Sequence, residues 1–369
     1  MDVLMTVSND VVHDPRVLKE AHALQEGGHR VSIIGWDRSG TAPTREDRDG
    51  LAIYRVRTEG GMRLLMKDMF RLPLWWRRAR AIARSIPFDV VHCHDLDTLP
   101  IGVRLKTATG RPLIYDAHEV YGYMIETDVP KFIVDYTFRL ERRLAPQADR
   151  IITVTDGVKE YIDRASGKEA VLVRNCHDLV LDEYRRPPGP PFTVVYIGVL
   201  HTQRFILEAI DVIGGMPDVR LVIAGAGKFE SPVRAMCAQH PNTEFLGLVP
   251  SERVLPMTLD SHAVLIMSDP KLRISKIGLS NKMFDAMVTG RPVIVTEGVP
   301  MGDIVTKEGC GIAVPYTNAG FLSAVVRLRD DPTLAEHLGR NGLAAAKREY
   351  NWGAEKKKLL AVYDSLPGR

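Results

Sequence analysis

One pattern runs through this chain twice, and it limits the folds open to it: short, wholly apolar runs alternate with amphipathic helical stretches. In the first half, "VLMTV" (3–7), "RVSIIGW" (30–36), "FDVVHC" (88–93), "PLIYDA" (112–117) and "RIITVT" (150–155) read as strands. They do not alternate polar with apolar residues, so they are predicted to be buried on both faces. "DPRVLKEAHALQEGG" (14–28) reads as a helix, with Pro15 near its start and Gly27-Gly28 at its end. The text then changes to "EYRRPPGPPF", and residues 183–191 read as a linker. The pattern restarts with "FTVVYIG" (192–198), "VRLVIAG" (219–225), "TEFLG" (243–247), "HAVLIM" (262–267), "RPVIVT" (291–296) and "GIAVP" (311–315).

Doubly buried strands separated by helices imply parallel sheets with helices on both sides. The expectation is therefore two α/β, Rossmann-like doubly wound domains, 1–182 and 192–350, facing across a cleft. A helical pattern over about 351–369 is expected to pack back on the first. Ligands of such sheets bind beyond the carboxyl ends of the strands.

The rest of the composition excludes several classes. A net charge of +3 over 369 residues gives no electrostatic case for nucleic acid. The N-terminal "MDVLMTVSND" has no basic region before its apolar run, so it reads as a strand and not a signal peptide. No run approaches the length of a membrane span. Cys93, Cys176, Cys237 and Cys310 are far apart in sequence. They are expected to be free thiols in a cytoplasmic protein.

The most informative stretch is "LSNKMFDAMVTGRPVIVT" (279–296). Ser280 is placed to cap a helix whose buried face carries Met283, Phe284 and Met287. Gly290 and Pro292 end that helix. Lys282 and Asp285 share a side near its N-terminus, where free amides and the helix dipole suit a phosphate. A cation and a carboxylate there suit one ligand with both phosphates and hydroxyls; the alternative is a solvated surface pair. His118, in "YDAHE" just after a strand, lies where such sheets place ligand residues; the alternative is a core histidine. "HCH" (92–94) puts two histidines on one strand face with no further ligand evident, and "DLD" (95–97) reads as a loop, so no metal is expected.

These residues resemble the donor-binding segment of family 4 retaining glycosyltransferases of the GT-B fold. Matching text occurs in the same order along nearly the whole chain: "HDPRVLKEAHALQEGGHRVSIIG", "FDVVHCHDLDTLPIG", "LIYDAHEVYG", "ADRIITVTDGV", "VRNCHDL", "YIGVLHTQRFILEAI" and "LVIAGAG". The resemblance implies transfer of a hexose or N-acetylhexosamine from a nucleotide diphospho-sugar to a hydroxyl acceptor, UDP-sugars being favoured and GDP-mannose allowed. The acceptor would belong to glycan, glycolipid or polysaccharide assembly, lipid-linked glycans among them.

Carried over by residue, the resemblance makes Asp285 the carboxylate that receives the ribose hydroxyls. It makes Arg204, with Lys282, the cations on the diphosphate. It places Gly198, Gly225, Gly278, Leu279, Ser280 and Asn281 against the donor, and gives His118 the orienting of the sugar. His118, Arg204 and Lys282 are the catalytic candidates. Asp14, Arg16 and Glu119 are tentative acceptor-side residues; for Asp14 and Arg16 the alternative is capping and solvating the first helix. Asp116 is expected to be structural. The family's signature has a second glutamate eight positions before this carboxylate, and Ile277 stands there, which leaves the sugar open. With no carboxylate placed as a nucleophile, front-face attack guided by the leaving phosphate is the expected retaining route. No cofactor or metal is expected. A 2-epimerase of the same fold and a silent sugar-nucleotide-binding partner are the alternatives.

Residues 62–84, "MRLLMKDMFRLPLWWRRARAIAR", combine seven Arg/Lys with Trp75 and Trp76. They suit a helix on an anionic membrane surface, or a helix with its Trp face packed inward and its Arg face solvated.

Overall fold

The computed structural model describes residues 1–12, 14–58 and 65–367, without the side chains of 65–70. The chain forms two compact units: Met1–Arg174 with Lys356–Arg369, and Asn175–Glu355.

The first unit is built on an eight-stranded sheet. Its strands are β1 (Asp2–Thr6), β2 (Arg30–Asp37), β3 (Arg45–Arg48), β4 (Leu51–Arg57), β5 (Val90–His94), β6 (Leu113–Ala117), β7 (Arg150–Thr153) and β8 (Val171–Leu172), in the order β3-β4-β2-β1-β5-β6-β7-β8. The pairing of β3 with β4 is antiparallel, and the other pairs are parallel. The chain starts at β1, winds out to one edge, then returns to build the other side from β5. The switch point lies between β1 and β5, and the carboxyl end of a sheet at such a point forms a crevice.

The second unit repeats the plan. Strands β9 (Phe192–Ile197), β10 (Val219–Ala224), β11 (Thr243–Phe245), β12 (Ala263–Leu265), β13 (Val293–Thr296) and β14 (Gly311–Val314) form a sheet in the order β11-β10-β9-β12-β13-β14. Here the switch point lies between β9 and β12. Alternate residues enter different cores. Val194, Tyr196, Leu221 and Ile223 join one apolar cluster, and Val195, Val264, Val293 and Val295 the other. Burial on both faces explains why these strands read as continuous apolar runs. Residues 183–191 lie within this unit, where Arg291 Nη1 donates to Arg185 O at 2.8 Å.

The helix Leu65–Ala83 corrects the outward-facing Trp reading. Trp75 is fully buried and stacks on Trp36 at 5.4 Å. The Trp76 indole N–H donates to Asp97 O at 2.6 Å. Arg77, Arg78 and Arg84 are exposed. Residues 62–64 of the stretch, and the side chains of 65–70, lie outside the described residues. No described helix is long and apolar enough to cross a membrane. All four cysteines are buried free thiols.

Candidate active site

In the second unit the carboxyl ends of β9 and β10 are drawn together by two glycines. Gly198 and Gly225 have φ of 154° and 137°. A Cβ on Gly225 would lie 1.8 Å from Gly198 O. No side chain fits that approach, and the backbone is in a region that favours glycine. Gly225→Ala is therefore expected to destabilise this unit by about 3 kcal/mol or more, read as a lowered denaturation midpoint.

Lys282 reaches into the corner so formed. A Cβ on Gly198 would meet its Nζ at 2.7 Å, and the ammonium sits 4.8 Å from the centre of the Tyr196 ring. Burial, aided by the charge of Arg204 and opposed by Asp285, pulls its pKa down to about 8. It remains a cation at neutral pH, held at some cost. Arg204 is half-buried at the end of a single 3-10 turn, Thr202–Arg204. The next residue, Phe205, has φ of 55°, unusual for a bulky side chain. Its ring is buried edge-on against Tyr316 and Phe321, at 5.0 and 5.6 Å. That packing holds the turn that carries Arg204.

The helix Asn281–Thr289 begins at Ser280, in extended conformation, but the Ser280 hydroxyl makes no capping bond. Its backbone N–H instead lies 3.2 Å from Met301 Sδ. The expected hydroxyl cap is thus corrected. A cap needs the side chain turned back over the first turn, and sequence alone does not fix that rotamer. Gly278 N–H is taken by Ile274 O at 2.9 Å, which removes it as a free donor. Leu279 and Ile277 are half-buried and Asn281 is exposed. Asp285 is 6% exposed, on the same helix as Lys282. His177 Nε2 lies 2.9 Å from its Oδ1, yet that oxygen receives no well-aligned hydrogen bond.

In the first unit, a layer of charge is buried where apolar residues would be expected. His92 and His94 share a face of β5, and His94 sits opposite Asp116 in the β5–β6 register. Above them the helix Pro15–Glu26 supplies Arg16 and Glu20, one turn apart. Arg16 Nη2 lies 3.1 Å from both oxygens of Asp116 and 2.8 Å from Glu20 Oε1, and Nη1 donates to Val173 O. Arg16 is 5% exposed, so it does not solvate the helix. Burial opposes its charge, but the two carboxylates hold it protonated. Asp14 caps this helix: Oδ1 accepts from Val17 N–H and Oδ2 from Asn9. Both oxygens are occupied in local structure.

His118 closes the cluster. Its Nε2 is 3.0 Å from Asp116 Oδ2, and its Nδ1 is 3.2 Å from Asp95 Oδ2. Asp95 Oδ1 also accepts the His118 backbone N–H at 3.0 Å. Burial disfavours the imidazolium, but Asp95 and Asp116 outweigh it and hold the pKa well above the usual value. Both ring nitrogens are engaged by carboxylate oxygens, so any further partner of this ring must share a proton already directed at Asp95 or Asp116. Burial pushes the Glu119 carboxyl up to about 7, with Asp95 adding to the effect.

Sequence reasoning left this network incomplete. The "HCH" pair does have neighbours: Glu20, His92, His94 and Asp116 bring ligand atoms within 4.8 Å of one another. The guanidinium of Arg16, paired with both carboxylates, already supplies the positive charge a cation would bring, so the set does not suit a metal ion. Tyr363 was also missed; its hydroxyl is 2.6 Å from His92 Nδ1. Burial, with His94, pushes His92 down to about 4, so it is neutral at pH 7. A separate cavity of about 830 Å³, lined by Tyr184, Phe192, His262 and Arg340, lies at the opposite, amino-terminal edge of the second sheet.

Two doubly wound parallel-sheet units in one chain are the architecture of the GT-B fold. The model of the Glycosyltransferase Family 4 matches residues 16–181, and that of the Glycosyl transferases group 1 matches residues 191–331. The chain belongs to this glycosyltransferase family and is a glycosyltransferase enzyme. It is 23% identical to an uncharacterized glycosyltransferase of Methanocaldococcus jannaschii, over 93% of this chain and 91% of that one. In fold it is similar to sucrose-phosphate synthase of Thermosynechococcus elongatus (TM-score 0.81, 16% identity, 99% and 98% of the two chains). It is also similar to Anabaena HepE, solved with UDP and glucose (TM-score 0.76, 14% identity, 99% and 100%).

Proposed function

We propose that the chain is a retaining glycosyltransferase that moves a hexose or N-acetylhexosamine from a UDP-sugar to a hydroxyl acceptor. The observation that carries the reading is the helix Asn281–Thr289, which presents Lys282 at the glycine corner beyond β9 and a nearly buried carboxylate, Asp285, one turn on. The ammonium suits a diphosphate, and the carboxylate suits the paired hydroxyls of a ribose. The UDP found with HepE supports the choice of base.

In this reading Lys282 and Arg204 take up the charge that develops on the departing diphosphate, so the sugar–oxygen bond breaks without a covalent enzyme intermediate. The acceptor hydroxyl forms the new bond on the same face and passes its proton to the leaving phosphate. His118 orients the sugar, a role that rests on the family resemblance. No metal enters this scheme, and a product with an inverted anomer would sink it. The acceptor is left as a hydroxyl of a growing glycan or glycolipid. Membrane association through the helix Leu65–Ala83 would rest on Arg77, Arg78 and Arg84, because its Trp face is packed inward. It should therefore vanish from anionic vesicles as salt is raised.

The test is a thermal-shift panel of UDP, GDP, ADP and common nucleotide sugars on wild type and Asp285→Ala. A ligand that binds the folded state raises its midpoint. A rise with UDP that Asp285→Ala loses supports the site. A rise with GDP instead would replace the base, and no rise with any nucleotide would remove the reading.

A further inference from the structure

His177 lies in "VRNCHDL", a segment in which the sequence analysis names no site residue. Its backbone and its side chain have separate partners. The carbonyl accepts the Trp352 N–H at 2.9 Å, and the preceding Cys176 is fully buried in the core that also holds Met283, Phe284 and Met287. That anchoring fixes where residue 177 stands relative to the helix Asn281–Thr289. The imidazole itself is 38% exposed, and its Nε2 comes to 2.9 Å from Asp285 Oδ1. Oδ1 is buried and has no well-aligned donor of its own. A buried carboxylate oxygen without a donor is costly, and the imidazole is the group within reach that can supply one.

We propose that His177 is a positioning residue of the donor site: by holding Oδ1 of Asp285 it turns Oδ2 toward the ribose hydroxyls of the bound nucleotide. The proposal rests on the assignment of Asp285 to the ribose. It differs from a purely structural role because the structural partners of this segment, the His177 carbonyl and Cys176, remain when the imidazole is removed.

Isothermal titration of UDP into the full chain tests it, with wild type, Asp285→Ala, His177→Ala, His177→Gln and the double variant His177→Ala/Asp285→Ala. His177→Ala is expected to weaken UDP about tenfold, the scale of a lost hydrogen bond to a charged group. His177→Gln, whose amide can reach the place of Nε2, should recover most of that loss. The double variant should bind no more weakly than Asp285→Ala alone, because the imidazole acts through that carboxylate. In turnover, KM for the donor should rise in His177→Ala while kcat stays within about twofold. UDP binding unchanged in His177→Ala, or losses that add in the double variant, would overturn the inference and leave the donor site standing. If wild type binds no UDP, the donor assignment fails and this inference fails with it.

Discussion

Arg16→Met is expected to cost the first unit about 3–5 kcal/mol, the scale of breaking a buried ion pair by removing one partner. Arg16 sits between Asp116 and Glu20, at 3.1 and 2.8 Å, with all three side chains almost fully buried. Methionine fills much of the space but leaves Glu20 without its counter-charge and Asp116 with His118 alone, and part of the cost is relieved as a carboxylate takes up a proton. Lysine is a poor substitute: a single ammonium cannot span both carboxylates and the Val173 carbonyl, which the planar fork reaches together. Denaturant unfolding followed by tryptophan fluorescence reads the effect, because Trp36, Trp75 and Trp76 all belong to this unit. A midpoint unchanged within error would mean that His118 and a proton on Glu20, not Arg16, neutralise the cluster.

Lys282→Met should move stability and binding in opposite directions. The folded pKa of about 8 lies below the ordinary lysine value of 10.5. The charged form is therefore disfavoured by folding, and the linked free energy rises with pH between those two values. Removing the ammonium at pH 7 removes that cost, so the second unit should gain about 1–2 kcal/mol after loss of the cation–π contact with Tyr196. If Lys282 meets the diphosphate as proposed, affinity for UDP should fall about 100-fold as that charge-assisted contact is lost. The wild type is expected to show the matching pH signature. Below pH 8 Lys282 is already protonated and UDP affinity should be flat. Above pH 8 the free protein must take up a proton to bind, so affinity should fall by up to tenfold per pH unit. Titrations from pH 6.5 to 9.5, with Lys282→Met as the flat control, check this. A wild-type profile as flat as the variant's would remove Lys282 from the diphosphate.

The parts legible in the sequence were those carried by local pattern. The doubly buried strands showed as apolar runs, and the helix over Lys282 and Asp285 showed by its periodicity. The hairpin β3–β4 was missed because "REDR" and "LAIYRVR" are charged or alternating, as suits a sheet edge with one wet face. A signal was present: Asp49-Gly50 between them, with φ of 53° and 78°, is the dipeptide a tight hairpin turn favours. The buried ion-pair cluster was illegible for a different reason. Its members come from a helix near residue 16, strands near 92 and 116, and a helix near 363, and parallel crossovers bring such positions together only in three dimensions. His118 was found because it lies just past a strand end. The two carboxylates that hold its ring, Asp95 and Asp116, looked like a loop residue and a structural one.

The bond between Tyr363 and His92 joins residues 271 positions apart. On the ribosome, β5 emerges long before its partner exists, so His92 waits with an unpaired nitrogen while the whole of Asn175–Glu355 is made. The second unit therefore has every one of its residues before the first has its last helix. A translation pause ahead of residue 356 would hold a second unit that has all its residues and a first unit that still lacks its last helix.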